Sequence, residues 1–143
     1  MRRSTHRTIA RFWRDQSGVV AVEFVLIAPL LFALLLGVIS IGYFMGITHS
    51  VHQLAASAAR ASVTGLDQDE RASLTNTYLS EAGTRYPLLQ QTSLTPLVTF
   101  DNSSPEGITV EVTYSVEGSL LDLANGFLGL GITNIKGSAY LAY

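Results

Sequence analysis

Glu23 has the most unusual chemical setting in the chain, because it directly precedes 24 residues, 24–47, whose only ionisable side chain is a tyrosine. An acid inside a membrane costs about 3 kcal/mol and normally has a charged partner. No cation follows within helical reach, and Arg14 lies nine residues before it. Cleavage between Gly18 and Val19 would create such a cation, a new α-amine. On a rigid helix this amine cannot easily reach its own Glu23, whereas the amine of a staggered neighbouring chain can. The alternative is an uncleaved chain with Glu23 at the membrane interface.

Charge is distributed unevenly along the 143 residues. Residues 1–18 carry five arginines and one aspartate, a net charge of +4, whereas residues 19–143 carry four cations and ten carboxylates, a net charge of −6. This asymmetry around an apolar tract indicates a membrane, and basic residues confined to one end give little support to nucleic-acid binding. Only 14% of the residues are charged, which excludes a long disordered chain. The absence of cysteine excludes disulfides, thiolate metal sites and thiol nucleophiles.

The tract 24–47 predicts a transmembrane helix. Its length of about 36 Å is enough to cross a hydrocarbon core of about 30 Å. It is longer than the apolar region of a secretory signal peptide, about 7–15 residues. Because cations beside a span stay in the cytoplasm, the arginines place the N-terminus there and the C-terminal part outside the inner membrane. The predicted organisation is a basic leader peptide at 1–18, a transmembrane helix at 19–47, a projecting continuation at 48–64 and an exported domain at 65–143.

The helical pattern continues beyond the membrane as far as Gly65. Apolar and small residues recur there at steps of three and four, namely Ile47, Val51, Leu54, Ala55, Ala58 and Ser62. A second helix is predicted to start at Asp67, because its spacing to Glu70 is that of a capping box. The apolar face of this helix is predicted to be Leu74, Tyr78 and Ala82, and its end to lie at Gly83–Pro87.

The hydrophobic period then changes from 3.6 residues to two. Strands are predicted at Leu97–Asp101, at 108–116 and at Ile135–Tyr143, with turn residues at 102–107. A short helical excursion is predicted between the last two strands. The resulting fold class is α+β: a long N-terminal pilin-like helix, a second helix and a small antiparallel sheet in the exported domain.

A more specific pattern lies around the start of the apolar tract. A basic leader ends at Gly18, four apolar residues follow, and then come Glu23 and Phe24. This order resembles the processing signature of type IV prepilin-like proteins. The run 21–31, with Pro29 inside it, resembles the TadE family of the tight-adherence (Tad/Flp) pilus system. The resemblance covers residues 11–64, and one departure is Ser40, where TadE-like helices often carry an acid.

The resemblance implies a minor pseudopilin that a prepilin peptidase cuts between Gly18 and Val19. Glu23 and Phe24 are then the processing and assembly motif of the mature chain. The implied partners are the peptidase, other pilin-like subunits, the pilus assembly platform and membrane lipid, and the implied role is assembly of an adhesive pilus, which the chain itself can join. Two alternatives are an uncleaved single-pass structural component of a secretion or pilus apparatus and a membrane-tethered binding module.

Three further residues of the apolar tract have two readings each. Pro29 lacks an N–H and leaves the carbonyl of Val25 without its helical donor, so it predicts either a kink that adjusts the helix during packing or a tolerated membrane proline. Gly42 and Gly46 form a small-xxx-small pair, which suits close helix packing but also occurs incidentally in membrane helices.

The rest of the chain offers no catalytic constellation, so we expect no enzyme, no cofactor and no metal site. His49 and His52 lie three residues apart but have no acid or cysteine nearby to complete a ligand set, and no serine has a His/Asp arrangement. The apolar stretch 120–130 is expected to pack into the domain core. Its alternative is an exposed patch for another pilin-like subunit or for the membrane surface.

Overall fold

The computed structural model describes residues 16–143, so most of the predicted leader, 1–15, lies outside the described residues. The chain divides into two compact units between Gly37 and Val38. The elements in chain order are α1 (Gln16–Ala61), a 3₁₀ turn (Ser62–Thr64), α2 (Gln68–Ser80), α3 (Ala82–Arg85), a 3₁₀ turn (Gln91–Ser93), β1 (Leu94–Asp101), β2 (Gly107–Ser115), α4 (Leu120–Leu128) and β3 (Asn134–Ala142). The predicted α+β class is confirmed.

The described part of the first unit, 16–37, is helical throughout and belongs to α1. Its large apolar side chains are exposed along every face of the helix. A helix of this kind has no apolar core to cover it and suits a lipid environment. The stretch Val20–Thr64 includes a window long and apolar enough to cross a membrane.

The second unit, 38–143, has its core on the later part of α1. The residues of the predicted stripe are all fully buried: Ile47, Val51, Leu54, Ala55, Ala58 and Ser62. The small residues of the stripe allow the sheet to approach the helix closely, and the closeness is seen at Gly137 of β3, which lies directly against α1. A Cβ at Gly137 would lie 2.9 Å from the backbone nitrogen of His52 and from the carbonyl carbon of Val51.

The turn after α1 fixes the start of α2. Asp67 is the N-cap, and its Oδ1 accepts a hydrogen bond of 2.8 Å from the backbone N–H of Glu70. The carboxylate of Glu70 in turn accepts 2.8 Å from the N–H of Leu66. This pair of bonds resembles a capping box, except that Glu70 accepts from the N–H of Leu66 and not from the N–H of the N-cap residue Asp67. Gly65 adopts extended backbone and lies directly against Arg71, which leaves no room for a Cβ.

The second helix differs from its prediction in face and end. It ends at Ser80, and Ala82 belongs to the separate short helix α3. Its fully buried residues are Thr75 and Leu79, while the predicted face residues Leu74 and Tyr78 are half-buried. The buried face of this helix is therefore shifted by one residue from the predicted face. The helix packs through Thr75 as well as Leu79, and a pattern of large apolar residues alone does not indicate a buried threonine.

The sheet is antiparallel in the order β1-β2-β3, with β2 in the centre. The alternation predicted for the central strand is confirmed, since one face is buried from Ile108 through Val116. Strand β1 starts at Leu94, three residues before its predicted start, and contains Pro96 paired with Val112. Proline is tolerated there because β1 is an edge strand whose outer N–H groups have no neighbour to bond.

Helix α4 confirms the predicted excursion but corrects the prediction that the whole stretch is core. Leu121 and Ala124 are buried, whereas four other apolar residues of 120–130 are exposed: Leu120, Leu123, Phe127 and Leu130. Gly126 lies inside the helix without interrupting it. Gly129 ends the helix in the left-handed region at φ 64°, which only glycine adopts without strain.

Candidate processing and assembly segment

The predicted cleavage bond, between Gly18 and Val19, lies in the first turn of α1. The N–H groups of a first turn have no intrahelical acceptors, and helix ends fray, so this turn unwinds at lower cost than the helix interior. Gly18 is exposed, and no heavy atom of the described chain lies within 4 Å of the position where a Cβ would be. Within the described residues, Gly18 is therefore free of side-chain contacts.

Glu23 and Phe24 lie on the following turn of α1, and both side chains are exposed. Glu23 follows the predicted cleavage bond by about one turn of the helix. An exposed carboxylate and an exposed aromatic ring at the start of an apolar segment leave this face open to a second helix.

Pro29 lies within α1, which is continuous on both sides of it. The missing N–H takes away the normal helical donor for the carbonyl of Val25. Pro29 itself is exposed, so its ring contributes to the outer surface of the apolar segment. The helix thus contains a locally weakened turn six residues after Glu23.

The two glycines predicted for helix packing have different surroundings. Gly42 is exposed and has open space where a Cβ would be. Gly46 faces Leu88, whose Cδ1 would lie 3.0 Å from a Cβ there. One glycine of the small-xxx-small pair is thus in contact with this chain's own second half. The neighbouring Ser40, at the position of the family's acid, is buried.

An aromatic and cationic cluster, which the sequence reasoning did not single out, lies where α3 returns toward α1. The hydroxyls of Tyr78 and Tyr86 are 3.5 Å apart, and the guanidinium of Arg85 lies 4.6 Å from the ring centre of Tyr78. Burial, followed by the hydrogen bond with Tyr78, raises the pKa of Tyr86. Periodicity alone cannot reveal this cluster, because its members come from two helices and a loop.

For part of the stretch 120–130, the structure favours the stated alternative of an exposed patch over the expected packing in the core. In the residues that the structure describes, no group of three or more His, Asp or Glu lies close enough to hold a metal ion. His49 and His52 are both exposed on α1.

The described residues thus define a class of protein in which one helix is long and apolar enough to cross a membrane. The later part of the same helix contributes to the core of an α+β unit. Residues 18–60 match the family model described as TadE-like protein. The match begins at the glycine before the predicted cut and ends one residue before the end of α1. The resemblance seen in the sequence is therefore confirmed over this helix, and it points to a membrane protein associated with the Tad pilus. Neither a curated protein nor a solved structure matches the chain.

Proposed function

We propose that this chain is a minor pseudopilin of a Tad-type pilus, made as a precursor and cut after Gly18 by a prepilin peptidase. The observation that carries the proposal is the coincidence of the TadE-like match with α1. That helix begins with the Gly18–Glu23–Phe24 pattern, continues as an exposed apolar segment and ends as the core of an α+β unit. The chain performs no chemistry itself and acts through helix packing.

In this proposal the chain is anchored in the inner membrane with its N-terminus in the cytoplasm. The five arginines of 1–18 support that orientation, because cations next to a span are retained on the cytoplasmic side. The unit 38–143 then faces outward, where it supports assembly of an adhesive pilus together with other pilin-like subunits and the assembly platform.

Cleavage prepares the helix for assembly. The new α-amine of Val19 is a cation at the start of an apolar helix, and the exposed carboxylate of Glu23 is its natural counter-charge. When the pair forms between two chains, it fixes their axial stagger. The pair adds little net stability, because desolvation of both charges offsets their attraction. Its contribution is therefore to the register between subunits.

The test is the length of the mature chain in membranes that contain an active prepilin peptidase. We expect a product of 125 residues that starts at Val19, 143 minus 18, by intact-mass measurement. Gly18→Leu should remain at full length, because a bulky residue before the cut obstructs a narrow enzyme site. Gly42→Leu is the matched control, since it places the same side chain at another open glycine of α1 and should be cut normally. An intact wild-type N-terminus contradicts the proposal and favours an uncleaved anchor.

A further inference from the structure

Helix α4 exposes a compact apolar surface, here called the α4 patch: Leu120, Leu123, Phe127 and Leu130. Their side chains are 57%, 66%, 82% and 45% exposed. At 3.6 residues per turn, Leu120, Leu123 and Phe127 lie on one side of α4, next to the side that buries Leu121 and Ala124. The apolar arc of this helix is therefore wider than the part that the domain core covers. Large exposed apolar residues grouped in this way mark an interaction surface.

The α4 patch is held in place at both ends of the helix. Ser119 is the N-cap, and its side chain accepts a hydrogen bond of 3.2 Å from the N–H of Leu121. After the left-handed turn at Gly129, Asn125 bonds both backbone groups of Ile132, accepting from its N–H at 3.2 Å and donating to its carbonyl. These bonds fix the loop that carries Leu130, so the patch is a formed surface.

Contacts within the unit 38–143 show which end of it carries the patch. Tyr43 packs against the core of this unit, one turn before Ile47 on α1. Further along α1, Val51 packs against Gly137, which lies near the start of β3 and pairs with Val112 near the end of β2. Tyr143, after the other end of β3, contacts Arg71 beyond the end of α1, so the end of β2 lies toward the Tyr43 end of the core segment. Helix α4 follows β2 directly, so it lies at the Tyr43 end of the sheet.

The opposite end of the sheet lies beside the end of α1. The guanidinium of Arg71 lies 3.7 Å from the ring centre of Tyr143, and its Nε donates 3.0 Å to the carbonyl of Gly65. The exposed acids of this end form a separate group: Asp67, Asp69, Glu70, Asp101 and Glu106. The acidic group and the α4 patch therefore lie at opposite ends of the unit.

The Tyr43 end is also where α1 exposes apolar residues of the predicted membrane tract. Within the same unit these are Val38, Ile39, Ile41 and Met45. Next to α4 the charged residues are Glu117 and Asp122, and Asp122 accepts a hydrogen bond of 3.0 Å from the N–H of Gly118. No lysine or arginine occurs between Arg85 and Lys136. The segment that carries the patch thus contributes apolar side chains and no cation, and Lys136, near the start of β3, bonds to Glu111 at 3.1 Å.

We infer that the α4 patch rests in the outer surface of the lipid bilayer that the helix crosses. The argument is continuity, because the patch and the exposed apolar residues of α1 lie at the same end of one unit. An amphipathic helix buries its apolar face in the boundary between headgroups and acyl chains. Because the chain is already anchored, this contact acts at high effective concentration, and a modest apolar surface suffices. The inference rests on the anchoring part of the proposed function and is independent of cleavage and pilus assembly.

The full chain, which contains no cysteine, allows single-site labelling with an environment-sensitive fluorophore. We choose Phe127→Cys in the patch and, as the matched control, Leu66→Cys, a 92% exposed apolar residue at the opposite end. Leu31→Cys reports the membrane anchor separately. Each labelled chain is reconstituted at high dilution in phosphatidylcholine vesicles, and quenching by spin-labelled lipid and by a water-soluble quencher is measured.

At position 127 we expect strong quenching by the spin-labelled lipid and accessibility to the aqueous quencher about tenfold below that at position 66. The factor is of the size expected for burial of an apolar label in the bilayer surface. Adding Leu123→Ser to the labelled Phe127→Cys chain should raise that accessibility several-fold. Equal aqueous accessibility at 127 and 66 overturns the inference, and so does protection at 127 that appears only at high protein density, which indicates a second copy. A label at position 31 that remains in water refutes the anchor itself.

Discussion

The close approach of β3 to α1 at Gly137 gives a prediction whose size follows from the geometry. Gly137→Ala would place a methyl group 2.9 Å from the nitrogen of His52, the carbonyl carbon of Val51 and its Cγ1. Ordinary carbon contacts are about 3.5–4.0 Å, so β3 and α1 would have to separate by about 0.6–1.1 Å. Two of the three obstructing atoms are helix backbone, which cannot rotate away.

Overpacking of a core usually costs about 1–3 kcal/mol, and rigid backbone neighbours place this substitution at the upper end, near 3 kcal/mol. With a urea dependence of about 1–3 kcal/mol per molar, the unfolding midpoint should fall by about 1–3 M. The measurement is pulse proteolysis of the full chain in micelles over a urea series, which reports the fraction of chains in which the unit 38–143 is folded.

Gly126→Ala is the matched control, because it makes the same change inside α4, where nothing lies within 4 Å. It should raise the free energy of unfolding by about 0.5–1 kcal/mol, since alanine restricts the unfolded chain and favours the helix. If Gly137→Ala unfolds at the wild-type urea concentration while Gly126→Ala shifts upward, β3 does not lie against α1 at this distance, and the reasoning is refuted.

The remaining predictions concern assembly, topology and pH. Glu23→Ala and Glu23→Gln should insert and be cleaved but lose crosslinking to other pilin-like subunits, because an unpaired α-amine in a low-dielectric site costs about 3–5 kcal/mol. Glu106→Gln is the control for the loss of one carboxylate. Crosslinking of Glu23→Ala at the wild-type level contradicts the pairing. A reporter fused after Tyr143 should be active only outside the cytoplasm, and cytoplasmic activity would reverse the orientation. The folded state holds the phenolic proton of Tyr86 more tightly than the unfolded state does. The protonated hydroxyl therefore contributes to the free energy of unfolding below pH 10.0, and this contribution is lost as pH rises through the raised pKa. Wild type should therefore lose stability relative to Tyr86→Phe above pH 10.0, as seen in urea midpoints, whereas parallel pH profiles would refute this assignment.

Local patterns predicted most of the fold. Apolar residues recur every three or four positions from Ile47 to Ser62 and every second position along β2. These periods are visible in the sequence alone, so they predicted which residues are buried. The cap at Asp67 is also local, because both of its hydrogen bonds span three or four residues. The early start of β1 was missed because Pro96 argues against a strand until its edge position is known.

Tertiary placement accounts for what sequence could not predict. The helix α4 carries apolar residues on both its buried and its exposed sides, so only the position of the sheet distinguishes Leu121 from Phe127. The role of Gly137 as a close contact depends on which turn of α1 faces β3. For α1, the motif predicts roles for Gly18 and Glu23 that remain predictions, whereas the contact of Gly46 with Leu88 could be found only from the fold.

Helix α1 has a consequence for which fragments of the chain can fold. The sheet buries its inner face against residues 47–62, so a fragment that begins after Ser62 retains all three strands but leaves the face from Ile108 to Val116 without its cover. The strands therefore acquire a stable partner only in a chain that includes the helix. A fragment of the unit 38–143 must therefore keep the stripe from Ile47 to Ser62 in order to fold.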